Sequence, residues 1–174
     1  MGTALRQRIQ QDRFESPVQE ALLNLMVAAA YVREQAEKVC EPHGITASQY
    51  NVLRILRGVH PEGHPRCEVA RRMVDRAPDV TRLVDRLERQ GLVERDRSDR
   101  DRRLSITRIT SAGLEVLARM EPEMQVVNHA FAERVSVEDG RELSRICEGI
   151  YSGAEEHEPG LEDCPEQGSA GSAG

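Results

Sequence analysis

The sequence predicts a mainly α-helical chain with one small β-hairpin. Three observations predict it. Apolar residues recur at three- and four-residue spacing along most of the first 150 positions, the signature of helices that bury one face. Helix-start signatures, Ser16-Pro17-Val18-Gln19 and Thr46-Ala47-Ser48-Gln49, open two of those stretches. Two short, partly alternating runs, Leu92-Val93-Glu94-Arg95 and Leu104 to Ile109, flank an arginine-rich segment and read as antiparallel strands.

Residues 1–16 are a polar lead-in. From Pro17 a long helix carries Val18, Leu22, Leu25, Met26, Ala29, Val32, Ala36 and Val39 at helical spacing, and Pro42 and Gly44 end it. The second capping box starts a helix with Tyr50, Val52, Leu53 and Leu56, stopping near Gly58. A Pro/Gly loop, VHPEGHPR, follows. The short helix CEVARRMVDR then turns Val69, Ala70, Met73 and Val74 inward, and Arg76-Ala77-Pro78 breaks the chain. Pro78 can open a fourth helix, with Val80, Leu83, Val84 and Leu87 on one face and Thr81, Arg82, Asp85, Arg86 and Arg89 on the other, closed by Gly91. After the hairpin, Thr110 or Ser111 caps a helix whose Leu114, Leu117, Met120, Met124, Val127 and Phe131 form a seam suited to another helix. Pro122 can kink it. Ser136 begins a last helix with Leu143, Ile146, Cys147 and Ile150 on one face. Residues 153–174, rich in Gly, Ser, Glu and Pro, read as a disordered acidic tail.

The formal net charge of −6 looks wrong for a nucleic-acid binder until the chain is segmented. The tail holds six acids and no Lys or Arg, which leaves 24 basic residues against 24 acidic ones in the remainder. Between Arg66 and Arg108 there are thirteen arginines and nine acids, a local positive excess. Trp is absent and aromatics are 3% of the chain, too few for a surface that stacks single-stranded bases. No apolar run approaches the roughly 20 residues of a membrane helix. The polar N-terminus carries no signal-peptide pattern, so the sequence reads as cytoplasmic with no membrane partner.

Two short helices joined by a tight turn and followed directly by a hairpin make a winged helix-turn-helix, and the physics fits duplex DNA. A helix of this size fits the major groove, where its N-terminal half offers Asp79, Thr81 and Arg82 to base edges, with Arg86 one turn on. A thin hairpin can lie along phosphates and push an arginine into the minor groove. That answers why VERDRSDRDRRLSITRIT carries Arg100, Arg102 and Arg103 at its tip; the interleaved acids hold the arginine forks in a fixed pose. Arg89 reads instead as pairing with a neighbouring acid at helical spacing.

These residues also resemble a known family. GITASQYNVLRIL, VTRLVDRLERQGLVER and DRRLSITRIT are similar, in that order, to the second helix, the recognition helix with first wing strand, and the wing of MarR-type regulators. The resemblance runs over roughly Pro17 to Ile150. It implies that Asp101 orients the wing arginine, that Arg103 enters the minor groove, and that Thr81 and Arg82 lie where recognition-helix contacts are made. It further implies a homodimer built from residues 17–45 and 111–152, with residues 46–110 as the winged DNA-binding domain. Such a dimer would act as a ligand-responsive repressor on a pseudo-palindromic operator. The implied effector is a small phenolic or anionic molecule, with Tyr31, Tyr50 and His129 as liners. The sequence departs from the family pattern at HPEGHPRC and at Ala77-Pro78, each standing where a polar helix cap is usual.

Other chemistries have candidate residues in this sequence. Cys40, His43, His60, His64 and Cys67 are zinc-ligand types at tolerable spacing, although the histidines of the Pro/Gly loop read as exposed. A redox switch has Cys67, beside Arg66 at a helix start, as its best candidate for a lowered thiol pKa, while Cys147 reads as buried packing. Family peroxide sensors place a reactive cysteine near the start of the first helix, where this chain has Phe14, Glu15 and Ser16. Four irregularly spaced cysteines do not make a disulfide scaffold. No Gly-rich phosphate loop, nucleophile elbow or metal triad is present, so the chain reads as no enzyme, with no cofactor. The remaining alternative is a winged-helix protein-interaction module.

Overall fold

The computed structural model describes residues 3–75, 79–96 and 105–152. The chain divides into two compact units, Met1–Ala47 and Ser48–Gly174.

In the first unit, the lead-in contains a helix that the sequence reading did not place, α1 (Thr3–Ile9), which buries Leu5. The long helix α2 spans Pro17–Cys40. Ser16 caps it, its hydroxyl accepting from the Gln19 N–H at 3.2 Å, and Pro17 occupies the first turn, where its missing N–H costs nothing. Gln19 closes the box one residue earlier than expected: its side-chain oxygen accepts from the Glu15 N–H at 2.7 Å. A short 3-10 turn, Glu41–His43, then ends at Gly44, whose φ of 72° suits glycine. The stripe Val18, Leu22 and Met26 on α2 is exposed.

The second unit takes up α3 (Ala47–Arg57), which buries Val52, Leu53 and Leu56. A two-residue strand, β1 (His64–Pro65), precedes α4 (Arg66–Arg72). Then come α5 (Val80–Arg89), β2 (Val93–Asp96), β3 (Ile106–Ile109), α6 (Ser111–Ala132) and α7 (Val137–Tyr151). The sheet is antiparallel with order β1-β3-β2. In register, Val93 faces Ile109 and Arg95 faces Thr107, while His64 faces Thr107 from the other side.

β1 is the element that the loop reading of VHPEGHPR missed. A strand of two residues shows no periodicity, and it exists because Gly63 lets the chain approach β3. With φ at 78°, Gly63 sits where an added Cβ would come within 2.7 Å of Arg108 Cγ and closer still to the Thr107 carbonyl. Two apolar assignments also change. Val74 was expected to face inward with Met73; Met73 is buried, but α4 ends at Arg72 and Val74 is 89% exposed. On α6, the seam runs from buried Leu117 and Met120 to exposed Phe131. α6 runs unbroken through Pro122. Cys147 is half-buried rather than buried.

Candidate nucleic-acid interface

The site is built around the start of α5. Asp79 is its N-cap, its carboxylate accepting from the Arg82 N–H at 3.3 Å. The other carboxylate oxygen lies 3.2 Å from Arg82 Nε. Ala77-Pro78 therefore does not leave the helix uncapped: the cap is one residue further on. The sequence reading placed Asp79 among base-edge contacts, and here its carboxylate is engaged with Arg82. The Arg82 side chain is exposed, and Arg86, one turn on, is exposed on the same helix.

Thr81 is half-buried, and its hydroxyl accepts from an Arg66 guanidinium N–H at 3.2 Å. Arg66 opens α4, so this bond joins the two helices of the motif directly. The turn between them is tied back to α3 by the Val74 N–H, which donates to the Asn51 side-chain oxygen at 2.9 Å.

The C-terminal end of α5 aims the hairpin. Gly91, with φ at 72°, donates to the Glu88 carbonyl and Leu92 donates to the Leu87 carbonyl, each at 2.9 Å. This is a Schellman motif, with Leu87 and Leu92 both buried. Arg89 donates to the Asp85 backbone carbonyl at 3.3 Å rather than to a carboxylate, as the helical pairing had suggested. The Asp85 carboxylate is taken by Arg95 of β2, which also lies 3.6 Å from Glu88. Across the hairpin, Arg108 donates to Asp96 at 3.2 Å. Thr110 closes the hairpin base. Its hydroxyl donates to the Gly91 carbonyl at 2.7 Å and accepts from the Gly113 N–H at 3.1 Å, so one side chain both ties the loop and caps α6.

Arg100, Asp101, Arg102 and Arg103, the tip residues expected to contact DNA, lie outside the described residues. The sequence reading gives Arg66 and Arg95 no partner. It places Arg66 beside Cys67 and Arg95 on the first hairpin strand, and neither stands out from its neighbours by type or spacing.

The candidate metal and redox residues stand in different surroundings. His64 belongs to β1 and is buried, with neither ring nitrogen hydrogen-bonded. Burial, then the nearby Arg72, holds its pKa below the usual histidine value, against a smaller opposing pull from Glu68. His60 is exposed. Cys67 is disulfide-bonded, which removes it as a reactive thiolate or metal ligand in this state. Cys40 is a free thiol, fully buried, and its pKa is pushed up to about 11 by burial and by Glu37; the thiolate that zinc binding needs is disfavoured there. His43 sits on the 3-10 turn after Cys40. Among the described residues, no three His, Cys, Asp or Glu side chains gather as a metal site would require. No described helix is long and apolar enough to cross a membrane.

The comparisons with known proteins agree with this architecture. The sequence profile of the MarR family matches residues 43–104, the span from the end of the 3-10 turn into the hairpin. The chain is similar to a MarR transcription factor from Planctomyces limnophilus, with 37% identity and a TM-score of 0.61 over 78% of this chain and 98% of that one. It resembles Sco3205, a MarR family regulator from Streptomyces coelicolor solved in complex with DNA, with a TM-score of 0.72 and 23% identity over 86% of this chain and 96% of that one. It is 26% identical over 138 residues to the transcriptional repressor MprA of Escherichia coli K12, covering 78% of each chain. With its winged helix-turn-helix and a 37%-identical relative matched over nearly its whole length, the chain belongs to the MarR family of transcription regulators.

Proposed function

We propose that the protein is a sequence-specific duplex-DNA-binding regulator, a ligand-responsive repressor that acts as a homodimer on a pseudo-palindromic operator. The observation that carries the DNA reading is the exposed face of α5, where Arg82 and Arg86 stand one turn apart on a helix capped by Asp79 and continuous with the hairpin. Arginine forks on such a helix match the O6 and N7 acceptors of guanine. Sco3205, solved with DNA, supports the same docking mode, and MprA, a repressor, supports the sense of regulation. In this reading Thr81, Arg82 and Arg86 reach base edges, Asp79 positions Arg82, and Arg103 enters the minor groove with Asp101 orienting it and Arg100 and Arg102 beside it.

The dimer reading rests on apolar stripes exposed on single helices. Val18, Leu22 and Met26 recur every fourth residue on α2, and Leu143, Ile146 and Ile150 recur at three and four on α7. A second copy of the chain would cover them. Residues 17–45 and 111–152 then serve as dimerisation segments and residues 46–110 as the DNA-binding domain. A small phenolic or anionic effector that favours a dimer with the wrong spacing between recognition helices would lower operator affinity by population shift.

The test is fluorescence anisotropy of the full chain on the duplex upstream of its own gene, against a scrambled duplex, at two salt concentrations. Specific, salt-sensitive binding is expected. Arg82→Ala and Arg103→Ala are each expected to weaken operator binding by about 1–3 kcal/mol with the fold intact. Equal, weak binding to both duplexes, together with no effect of either variant, would overturn the reading.

A further inference from the structure

Arg95 stands apart from the other hairpin arginines. It belongs to β2, two residues past the buried Val93, and its side chain is only 23% exposed. Its guanidinium donates to the Asp85 carboxylate and lies 3.6 Å from Glu88. Both acids belong to the second half of α5, the helix that carries Arg82 near its start and Arg86 between the two acids. A planar fork held by two carboxylates three residues apart has one orientation, unlike a lysine's point charge. The bonds cross from one element to another, so they fix an angle as well as a distance. The rest of the hairpin base is braced in the same manner, by Arg108 on Asp96 and by Thr110 on the Gly91 carbonyl.

We propose that Arg95 is a positioning residue for DNA recognition, clamping the first wing strand to the recognition helix through Asp85 and Glu88 so that helix and wing engage a half-site as one rigid pair. The inference rests on the DNA-binding reading above and deepens it. Arg95 contributes little charge to the duplex, because two carboxylates already neutralise it. Its contribution is pre-organisation. With the angle set, docking α5 in the major groove presents the wing at its own groove at a high effective concentration; with the angle loose, that second engagement must be ordered at the moment of binding. A non-specific duplex, held by phosphate contacts alone, gains little from a fixed angle.

Arg95→Met and Asp85→Asn test this on the full-length protein. The clamp requires that both variants lose operator affinity, by roughly five- to twentyfold, while affinity for a scrambled duplex and the salt dependence stay near wild type. Asp85→Glu, which keeps the carboxylate, should recover most of the loss. Amide exchange of Val93–Asp96 in the free protein should quicken in Arg95→Met and Asp85→Asn, with circular dichroism confirming that both remain folded. A direct phosphate contact by Arg95 makes different predictions. Arg95→Met would then weaken both duplexes equally and flatten the salt slope by about one, and Asp85→Asn, by releasing the arginine, would tighten binding. Either of those results overturns the clamp. If the wild type does not prefer its operator, the DNA reading fails by itself. The exchange measurement still decides the clamp, and unchanged protection of Val93–Asp96 would refute it.

Discussion

Gly113 shows how much one residue can determine. It is the third residue of α6, where a helix former would be preferred, yet an added Cβ would meet the Leu92 carbonyl oxygen and come within 2.7 Å of Ile109 Cγ1. The glycine lets α6 start flush against the hairpin base. Gly113→Ala should therefore destabilise the fold by roughly 1–3 kcal/mol despite alanine's better helix propensity, seen as a lower denaturation midpoint. His64 is the second case. Its imidazole is buried with both nitrogens unpaired and feels the charges of Arg72 and Glu68, which pair with each other, while Arg71 pairs with the same glutamate. A histidine whose folded-state pKa is lowered binds fewer protons folded than unfolded. Its stabilising contribution is intact above the ordinary value of 6.5 and is lost as pH falls below it. Thermal denaturation at pH 7.5 and 5.5 should show the lower value at pH 5.5. His64→Leu should remove most of that difference, and an unchanged difference in the variant would contradict the assignment.

Helices were the most legible elements, because their starts are written in local chemistry. Ser16, Thr110 and Ser136 each accept from the N–H three residues on, as the sequence suggested for all three helix starts. Where local chemistry is ambiguous the reading slipped. Pro78 looked like the opening of α5, but Asp79 is its N-cap and lies beside Arg82. Asp79→Ala should cost about 1 kcal/mol of stability, measured by urea denaturation, and should weaken operator binding although it removes a negative charge near the phosphates. β1 was missed because two residues, His64 and Pro65, leave no pattern; only pairing with β3 makes them a strand. The hairpin itself was visible in the alternation of Val93 to Arg95 and Ile106 to Ile109, whereas the partners of its arginines were not.

For the whole molecule, the exposed stripes on α2 and α7 bear on the assembly. Leu22 is 56% exposed and Ile150 62%. Sedimentation should report a dimer at micromolar concentration. Leu22→Glu with Ile146→Glu should shift it towards monomer and weaken operator binding, because two half-sites would no longer be read by one particle. A wild type that sediments as a monomer while still binding its operator tightly would refute the dimer.

Local chemistry by itself determined the helix starts, the amphipathic periods, the hairpin and the order of motifs that joins them. Each of these is encoded within a few neighbouring residues. Only the tertiary structure decided which charges are available and which are engaged. Arg86 stands exposed and Arg82 is exposed beside the Asp79 of its own helix start, whereas Arg66 is bonded to Thr81 and Arg95 to Asp85, partners ten or more residues away. It also decided that His64 is buried and that Cys67 is disulfide-bonded. Thirteen arginines between Arg66 and Arg108 look alike in a sequence. They differ in the fold because an ion pair depends on distance through space, and that distance is set by how helix, strand and turn pack together.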